Sequence, residues 1–341
     1  FWVAHSTALD VPCTMAPLVS SQRAAWLLLA AFLTASPVTV VGVVQPFDCA
    51  TYASTAIQTT SDGAVVSVKA LVLHSGGAYD TLFQVKFSDH PGMTDLNAVA
   101  ISPIDSKVYG NARVHGLSYI ARFGATSLEY VAAAPESFNA GAFDVDGIFY
   151  VSSITTVKMA SYTNVHLLAG YSTPFGDLPT YASYVTLPAY PGSDINVIKQ
   201  NLHNGKGILT WLVGIDSGRI VAVSPGSTKA CKSGTVDSLT GEWGAAWHFN
   251  DKLFYASSGG TGVMEVTVGD CSQGGTLTAT QVFVGPSAGL AANDGLSCMV
   301  SNAPDFGRRR QQLQRQLEQR TTTTTNSTSS NTTTTSTSSS T

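Results

Sequence analysis

A chain of 341 residues accommodates one large domain or two ordinary ones, and its 44% hydrophobic content allows a substantial core. Only 12% of the residues are charged, about half the usual share for a soluble domain, and 31 glycines accompany many Val, Thr, Tyr and Ser, which favours an all-β protein over a helical one. A net charge of −4 excludes the strongly basic surface expected of a nucleic-acid binder.

The first methionine is Met15. Arg23 closes a short polar stretch, residues 24–35 form an apolar run, and the small residues Val40 to Gly42 supply a cleavage site. That layout is a secretory signal peptide spanning 15–42, with 1–14 as an upstream extension outside the fold. An uncleaved membrane anchor is the alternative, because 24–44 carries no charge; Pro37 and the small residues argue against it.

From Cys49 to His90, "AVVSVKALVL" and "DTLFQVKF" read as β runs. A pattern then recurs. "LNAVAISPIDSKVYG" starts at Leu96, "FNAGAFDVDGIFYVS" at Phe138, "INVIKQNLHNGKGIL" at Ile195 and "EWGAAWHFNDKLFYA" at Glu242. Each places Asn97, Asn139, Asn196 or Trp243 second. A polar turn residue follows (Asp105, Asp146, Asn204, Asp251), and then a β-former (Tyr109, Tyr150, Ile208, Tyr255). The leading positions are 42, 57 and 47 residues apart, and a partial copy, "NDGLSC", begins 50 residues further on at Asn293. A strand–turn–strand unit with a period in the forties predicts a β-propeller, because one four-stranded blade exposes two apolar faces that only neighbouring blades can cover. The partial copy and residues 49–90 together make one blade, so pairing of the N- and C-terminal strands closes the ring. Five blades are phased; the 57-residue interval leaves room for a sixth. The propeller is assigned to 43–305. A β-sandwich is the competing fold.

Beyond the leader, which carries Cys13, four cysteines remain. An even count in an exported chain suggests two disulfides, with three connectivities open. Cys49 with Cys298 and Cys231 with Cys271 is the favoured set, since the first pair ties the start of the domain to its end. After the propeller, 306–320 is a basic, Gln-rich linker or short helix. Residues 321–341 contain only Thr, Ser and Asn, which reads as a disordered, O-glycosylated stalk. Asn326 and Asn331 lie in N-glycosylation sequons.

The order "LNAVAISPIDSKVYG", "IARFG", "FNAGAFDVDGIFYVS" and a closing "NDGLSC" resembles a poorly characterised family of secreted propeller-like domains of bacterial, fungal and algal surface proteins. The resemblance covers roughly 48–300 and implies the propeller fold and an extracellular role, without an established reaction. Lys199 and Gln200 stand where apolar residues are expected, and Trp243 replaces an Asn.

In such a ring, Asn97, Asn139, Asn196, Trp243 and Asn293 are expected around one mouth of the central channel as candidate ligand-binding residues. Asp294, Glu242, Asn97 and Asn139 supply oxygen donors of the kind calcium takes, so calcium is the one cofactor suggested; the competing reading is that the Asn side chains knit blades together. Asp144 to Gly147 reads as a hairpin turn and "SSGGTG" (257–262) as a connection. Trp211, Trp243 and Trp247 either stack on sugars at the mouth or pack the core. The seven His show no metal-ligand spacing, and no G-x-S-x-G occurs. Two functions follow. One is a non-catalytic binding or adhesion module whose partner is an extracellular protein or glycan, with membrane contact only through an uncleaved anchor. The other, from a different class, is a calcium-dependent hydrolase or lactonase-like enzyme.

Overall fold

Alternating apolar runs bounded by polar turns give the chain twenty β-strands among its described residues, and they assemble into five four-stranded antiparallel sheets. The computed structural model describes residues 43–304 except 73–77, 175–177, 202–206, 226, 228, 234–240, 251, 261, 272–275 and 284–292. Blade 1 takes β1 (Ile57–Ser61), β2 (Val65–Val72) and β3 (Ala78–Lys86). Blade 2 is β4 (Met93–Ile101), β5 (Val108–Val114), β6 (Leu117–Phe123) and β7 (Leu128–Ala134). Blade 3 is β8 (Ala140–Phe143), β9 (Phe149–Ser153), β10 (Lys158–Tyr162) and β11 (Ser183–Thr186). Blade 4 is β12 (Ile195–Asn201), β13 (Ile208–Asp216), β14 (Arg219–Val223) and β15 (Ala230–Lys232). Blade 5 is β16 (Trp243–Phe249), β17 (Lys252–Ser257), β18 (Val263–Val268) and β19 (Leu277–Phe283). The last strand, β20 (Gly295–Leu296), returns to pair with β1 and completes blade 1.

Strands β4, β8, β12, β16 and β20 each touch the next, and β20 touches β4, so the inner strands form a closed ring. The protein is a five-bladed β-propeller closed by its terminal strands. A sixth blade does not exist among the described residues: the longest interval is spent between β10 and β11. There the chain makes a 3-10 turn at Val165–Leu167 and bridges Tyr171 to Tyr130 of blade 2. The signal peptide, the linker, the tail with Asn326 and Asn331, and the turn residues Asn204 and Asp251 lie outside the described residues.

The core is divided as the two-faced blades require. Five buried clusters fill the five interfaces: Ile57, Val68, Leu96 and Val99 join blades 1 and 2; Tyr109, Ile120, Phe149 and Val151 join 2 and 3; Ala140, Met159, Ile195 and Val221 join 3 and 4. Trp211, Val213, Trp243 and Tyr255 join 4 and 5; Ala56, Leu71, Trp247 and Phe254 join 5 and 1. All three tryptophans thus pack between blades, and none is a sugar-stacking platform at the mouth.

Closure rests on few residues and is reinforced accordingly. The β1–β20 ladder holds two residue pairs. Trp247 Nε1 donates to the Ile57 carbonyl at 2.6 Å, and Thr59 N donates to the Asp294 carbonyl at 2.9 Å. The Cys49–Cys298 disulfide spans 249 residues with a Cα–Cα distance of 5.6 Å; Cys231–Cys271 links blade 4 to the end of β18's connection at the same distance. Among the described residues, no helix is long and apolar enough to cross a membrane.

Candidate functional site at the propeller axis

The inner strands approach more closely than side chains allow. A Cβ added to Gly141 of β8 would fall on the Ala98 carbonyl of β4, and one on Gly295 of β20 would fall on the Ala246 backbone of β16. Ala98 itself adopts φ 54° within a bulge of β4. This crowding leaves an axial cavity of about 20 Å³, roughly room for one water.

At the end where the inner strands begin, two carboxylates close the axis. Asp194 immediately precedes β12, and Asp294 immediately precedes β20. Both are buried. Asp194 Oδ1 accepts from Ile195 N at 2.8 Å, while Oδ2 accepts from Ala246 N at 2.5 Å and Gly295 N at 2.9 Å. One side chain therefore ties blades 4, 5 and 1. Asp294 Oδ2 accepts from Val99 N at 3.2 Å, tying blade 1 to blade 2. Burial pushes both carboxyls above the ordinary carboxylate range, and Asp294 is pushed further by the charges of Asp194 and Asp95. The three backbone N–H groups on Asp194 pull in the opposite direction.

The sequence-predicted residues distribute around this end rather than forming one ring of ligands. Asn97 Oδ1 accepts from the next backbone N–H, Ala98, at 2.9 Å. Asn139 Oδ1 accepts from Ile154 N at 2.7 Å and fixes the β9–β10 turn. Asn293 Oδ1 accepts from Ser258 Oγ at 3.4 Å. Asn196 and Asn293 are buried, and their Nδ2 groups have no partner. Trp243 is buried in the blade 4–5 interface, and Glu242 is exposed. Asp294 does reach the axis, but its companion is Asp194, which the repeat alignment passes over. Among the described residues, no group of three or more His, Cys, Asp or Glu is arranged to hold a metal.

The opposite mouth holds a cavity of about 330 Å³, lined among others by Asp144, Val145, Lys199, Gln200, His248 and Asn250. Lys199 Nζ lies 3.0 Å from the buried Asp144 Oδ2 and also pairs with the exposed Asp146. Burial lowers the Lys199 pKa, but the two carboxylates outweigh it and the net shift is upward. Asp144 Oδ1 also caps the turn by accepting from Asp146 N and Ile148 N, so "DVDG" is a hairpin turn. Gln200 Nε2 donates to the Gly269 carbonyl at 2.9 Å. Lys199 and Gln200, the two departures from the apolar pattern, are thus the residues that line this mouth. Below β20 the chain crosses the axis: Ser297 Oγ bonds the His248 backbone, Asn250 N donates to the Met299 carbonyl, and Met299 packs into the blade 2–3 core. The middle of the axis is thus filled, and the cavity beside Lys199 remains at this mouth.

The sequence matches no family model and no curated protein. Several solved structures share its architecture. A chain of a nidogen–laminin complex is 11% identical, with a TM-score of 0.38, covering 71% of this chain and 98% of that one. The PQQ-bound aldose sugar dehydrogenase of Streptomyces coelicolor is 14% identical, with a TM-score of 0.36 and coverages of 63% and 72%. A putative 6-phosphogluconolactonase of Bacteroides fragilis is 16% identical, with a TM-score of 0.32 and coverages of 67% and 70%. Each of these likenesses has a TM-score below 0.5 and is one of fold alone.

Proposed function

We propose that the protein is a non-catalytic binding or adhesion propeller of the cell surface or extracellular space, presented on its Ser/Thr-rich tail. The filled middle of the axis carries this reading: Asp194, Asp294, Met299 and strand-to-strand contact at Gly141 and Gly295 leave a void of about 20 Å³ there, too small for a substrate, and the wider cavity at the Lys199 mouth holds no group of three or more His, Cys, Asp or Glu arranged for a metal among the described residues. Recognition is left to the faces and to the clefts between blades. Two disulfides support an oxidising compartment. Purified full-length chain applied to arrays of extracellular proteins and glycans is the test: specific capture by either supports the reading, and silence on both defeats it.

A calcium-dependent hydrolase is the second reading, favoured by the Asp194–Asp294 pair with Asn196 and Asn293 nearby in sequence and incompletely satisfied. Calcium bound there raises the melting temperature and EDTA reverses the rise; equal melting curves with either remove this reading.

A further inference from the structure

One cleft lies away from the axis, between blades 2 and 3, with a volume of about 500 Å³. Three connections build it. The β5–β6 turn, with His115 and Gly116 both at positive φ, presents Arg113, Leu117 and Ser118. The β7–β8 connection presents Pro135, Glu136 and Ser137. The β9–β10 turn presents Thr155 and Thr156. We propose that this cleft binds a neutral oligosaccharide of two or three units. The proposal rests on the binding-module reading above and gives it a site and a ligand class.

Four observations point to a sugar. First, the walls carry hydroxyls at the exposed Ser137, Thr155 and Thr156, backed by the buried Ser118 and Ser153, and an exposed hydroxyl can donate and accept as sugar hydroxyls do. Second, the walls are cross-linked. Ser118 Oγ and Ser137 Oγ are 3.0 Å apart, and Thr156 Oγ1 donates to Glu136 Oε1 at 2.5 Å. Asn139, one of the residues singled out by the repeat, holds the third wall through Ile154 N. A ligand therefore meets groups already placed, which lowers the ordering cost of binding. Third, Leu117 is 62% exposed beside Ala133, Ala134 and Pro135, an apolar strip that suits the C–H face of a pyranose. Fourth, the charges are one cation and one anion, Arg113 and Glu136. That balance suits a neutral ligand and gives a nucleic acid or an acidic glycan too little positive charge to hold. The volume lies within the range of about 300–1,000 Å³ usual for small-ligand sites. No aromatic platform is exposed in the cleft, since Tyr119 is buried against Tyr130, so the affinity belongs in the weak, millimolar-to-micromolar class.

The experiment is saturation-transfer NMR of the full-length chain with lactose, cellobiose, maltose, mannobiose and diacetylchitobiose, followed by titration of the best ligand. Ser137→Trp fills the cleft from an exposed position, and Glu136→Gln with Thr156→Ala removes the cross-link without adding bulk. Val145→Trp, at the far axial mouth, is the control. The expected result is binding of at least one sugar, weakened tenfold or more by Ser137→Trp and by the Glu136→Gln/Thr156→Ala pair, and unchanged by Val145→Trp. Should Ser137→Trp fail to fold, the double variant decides alone. Binding that survives the cleft variants, or that only Val145→Trp abolishes, overturns the cleft and leaves the binding-module reading standing. Silence of the sugar panel also overturns the cleft, while capture on the protein array still decides the broader reading.

Discussion

Substituting Asn for Asp194 keeps the shape of the side chain and removes one of two oxygens that three backbone N–H groups from three blades share. The amide NH2 must then face at least one donor. A buried N–H left without an acceptor costs about 1–3 kcal/mol, and the loss of a charge-assisted bond adds to it. Relief of repulsion with Asp294 offsets part of this, so the expected net loss is about 2–3 kcal/mol. Asp294→Asn is the contrast. Its carboxylate accepts from Val99 N at 3.2 Å and interacts with the backbone of Ala98, a weaker set than Asp194 holds, and it sits in the field of Asp194 and Asp95. That variant is expected to be neutral or stabilising. The pair also sets a pH dependence. Both carboxyls have folded-state values raised above the ordinary 3.8, so between that value and the raised ones the folded chain holds more protons than the unfolded chain. Stability from this source is therefore fully present only below about pH 3.8 and declines as pH rises from there through the raised values, with a limiting slope of about 1.4 kcal/mol per pH unit for each extra proton. Because they interact, the two titrate as a unit, and Asp194, with three N–H partners, gives up its proton first. Asp48 and Asp62 have the opposite shift, lowered by hydrogen bonds from Thr51 and from Ala64; their contribution disappears only on acidification below the ordinary carboxylate value, outside this window. Urea unfolding from pH 5 to 8.5, followed by the fluorescence of the buried tryptophans, reads all of this. Stability should decline toward pH 8.5 in the parent, and Asp294→Asn should flatten the decline. Stability that climbs across that interval, or an Asp294→Asn variant costlier than Asp194→Asn, refutes the reasoning.

Gly141→Ala and Gly295→Ala each place a methyl group on a neighbouring inner strand's backbone; loss of folded, soluble protein, or a melting temperature lowered by several degrees or more, is expected, since about 3 kcal/mol moves Tm by roughly 6–12 °C in a domain of this size. Gly124→Ala, where an added Cβ meets its nearest neighbour at 3.7 Å, is the mild control. Removing Cys49–Cys298 opens a loop of 249 residues and removing Cys231–Cys271 one of 40; chain entropy gives upper limits of about 5.5 and about 4 kcal/mol, so paired Cys→Ala variants should rank in that order by denaturant midpoint. Trp247→Phe deletes the indole donor to the Ile57 carbonyl and should cost about 1–3 kcal/mol, measured by the same unfolding transition.

Which parts of this architecture the sequence discloses depends on the range of the interaction. The strand–turn–strand unit is local: Asp105 and Asp144 bond N–H groups within four residues, and such turns are written in consecutive letters. Their phase locates every inner strand to within about three residues of its start, β4 beginning at Met93 ahead of Leu96, and the incomplete last copy joins β20 to β1. Facing is harder. A strand reverses its side chains at each residue, so knowing that Trp243 heads β16 does not say whether it lines the mouth or packs between blades 4 and 5, and the latter holds. The sixth blade was suggested by length alone, and length is also consumed by a connection such as the one through Tyr171.

The axis was legible only as a place. Asp194 sits in "YPGSDINV", two residues ahead of the phased Asn196 and just outside the copy that starts at Ile195. Its partners are the backbone N–H groups of residues 52 and 101 positions away, and backbone donors leave no mark in a sequence. A buried carboxylate is tolerated only where such donors converge. Convergence of that kind is a property of ring closure, so no single repeat could announce it. Lys199 and Gln200 are the informative exception. An inner strand has two apolar neighbours to satisfy, and two consecutive long polar side chains break that rule. They stand at the mouth because only there can Lys199 meet Asp144 and Asp146 while Gln200 reaches the carbonyl of Gly269. Two consecutive polar departures on an inner strand thus mark where its contact with the neighbouring blades changes from apolar packing to ion pairing and hydrogen bonding, whereas the single departure at Trp243 stays in the core.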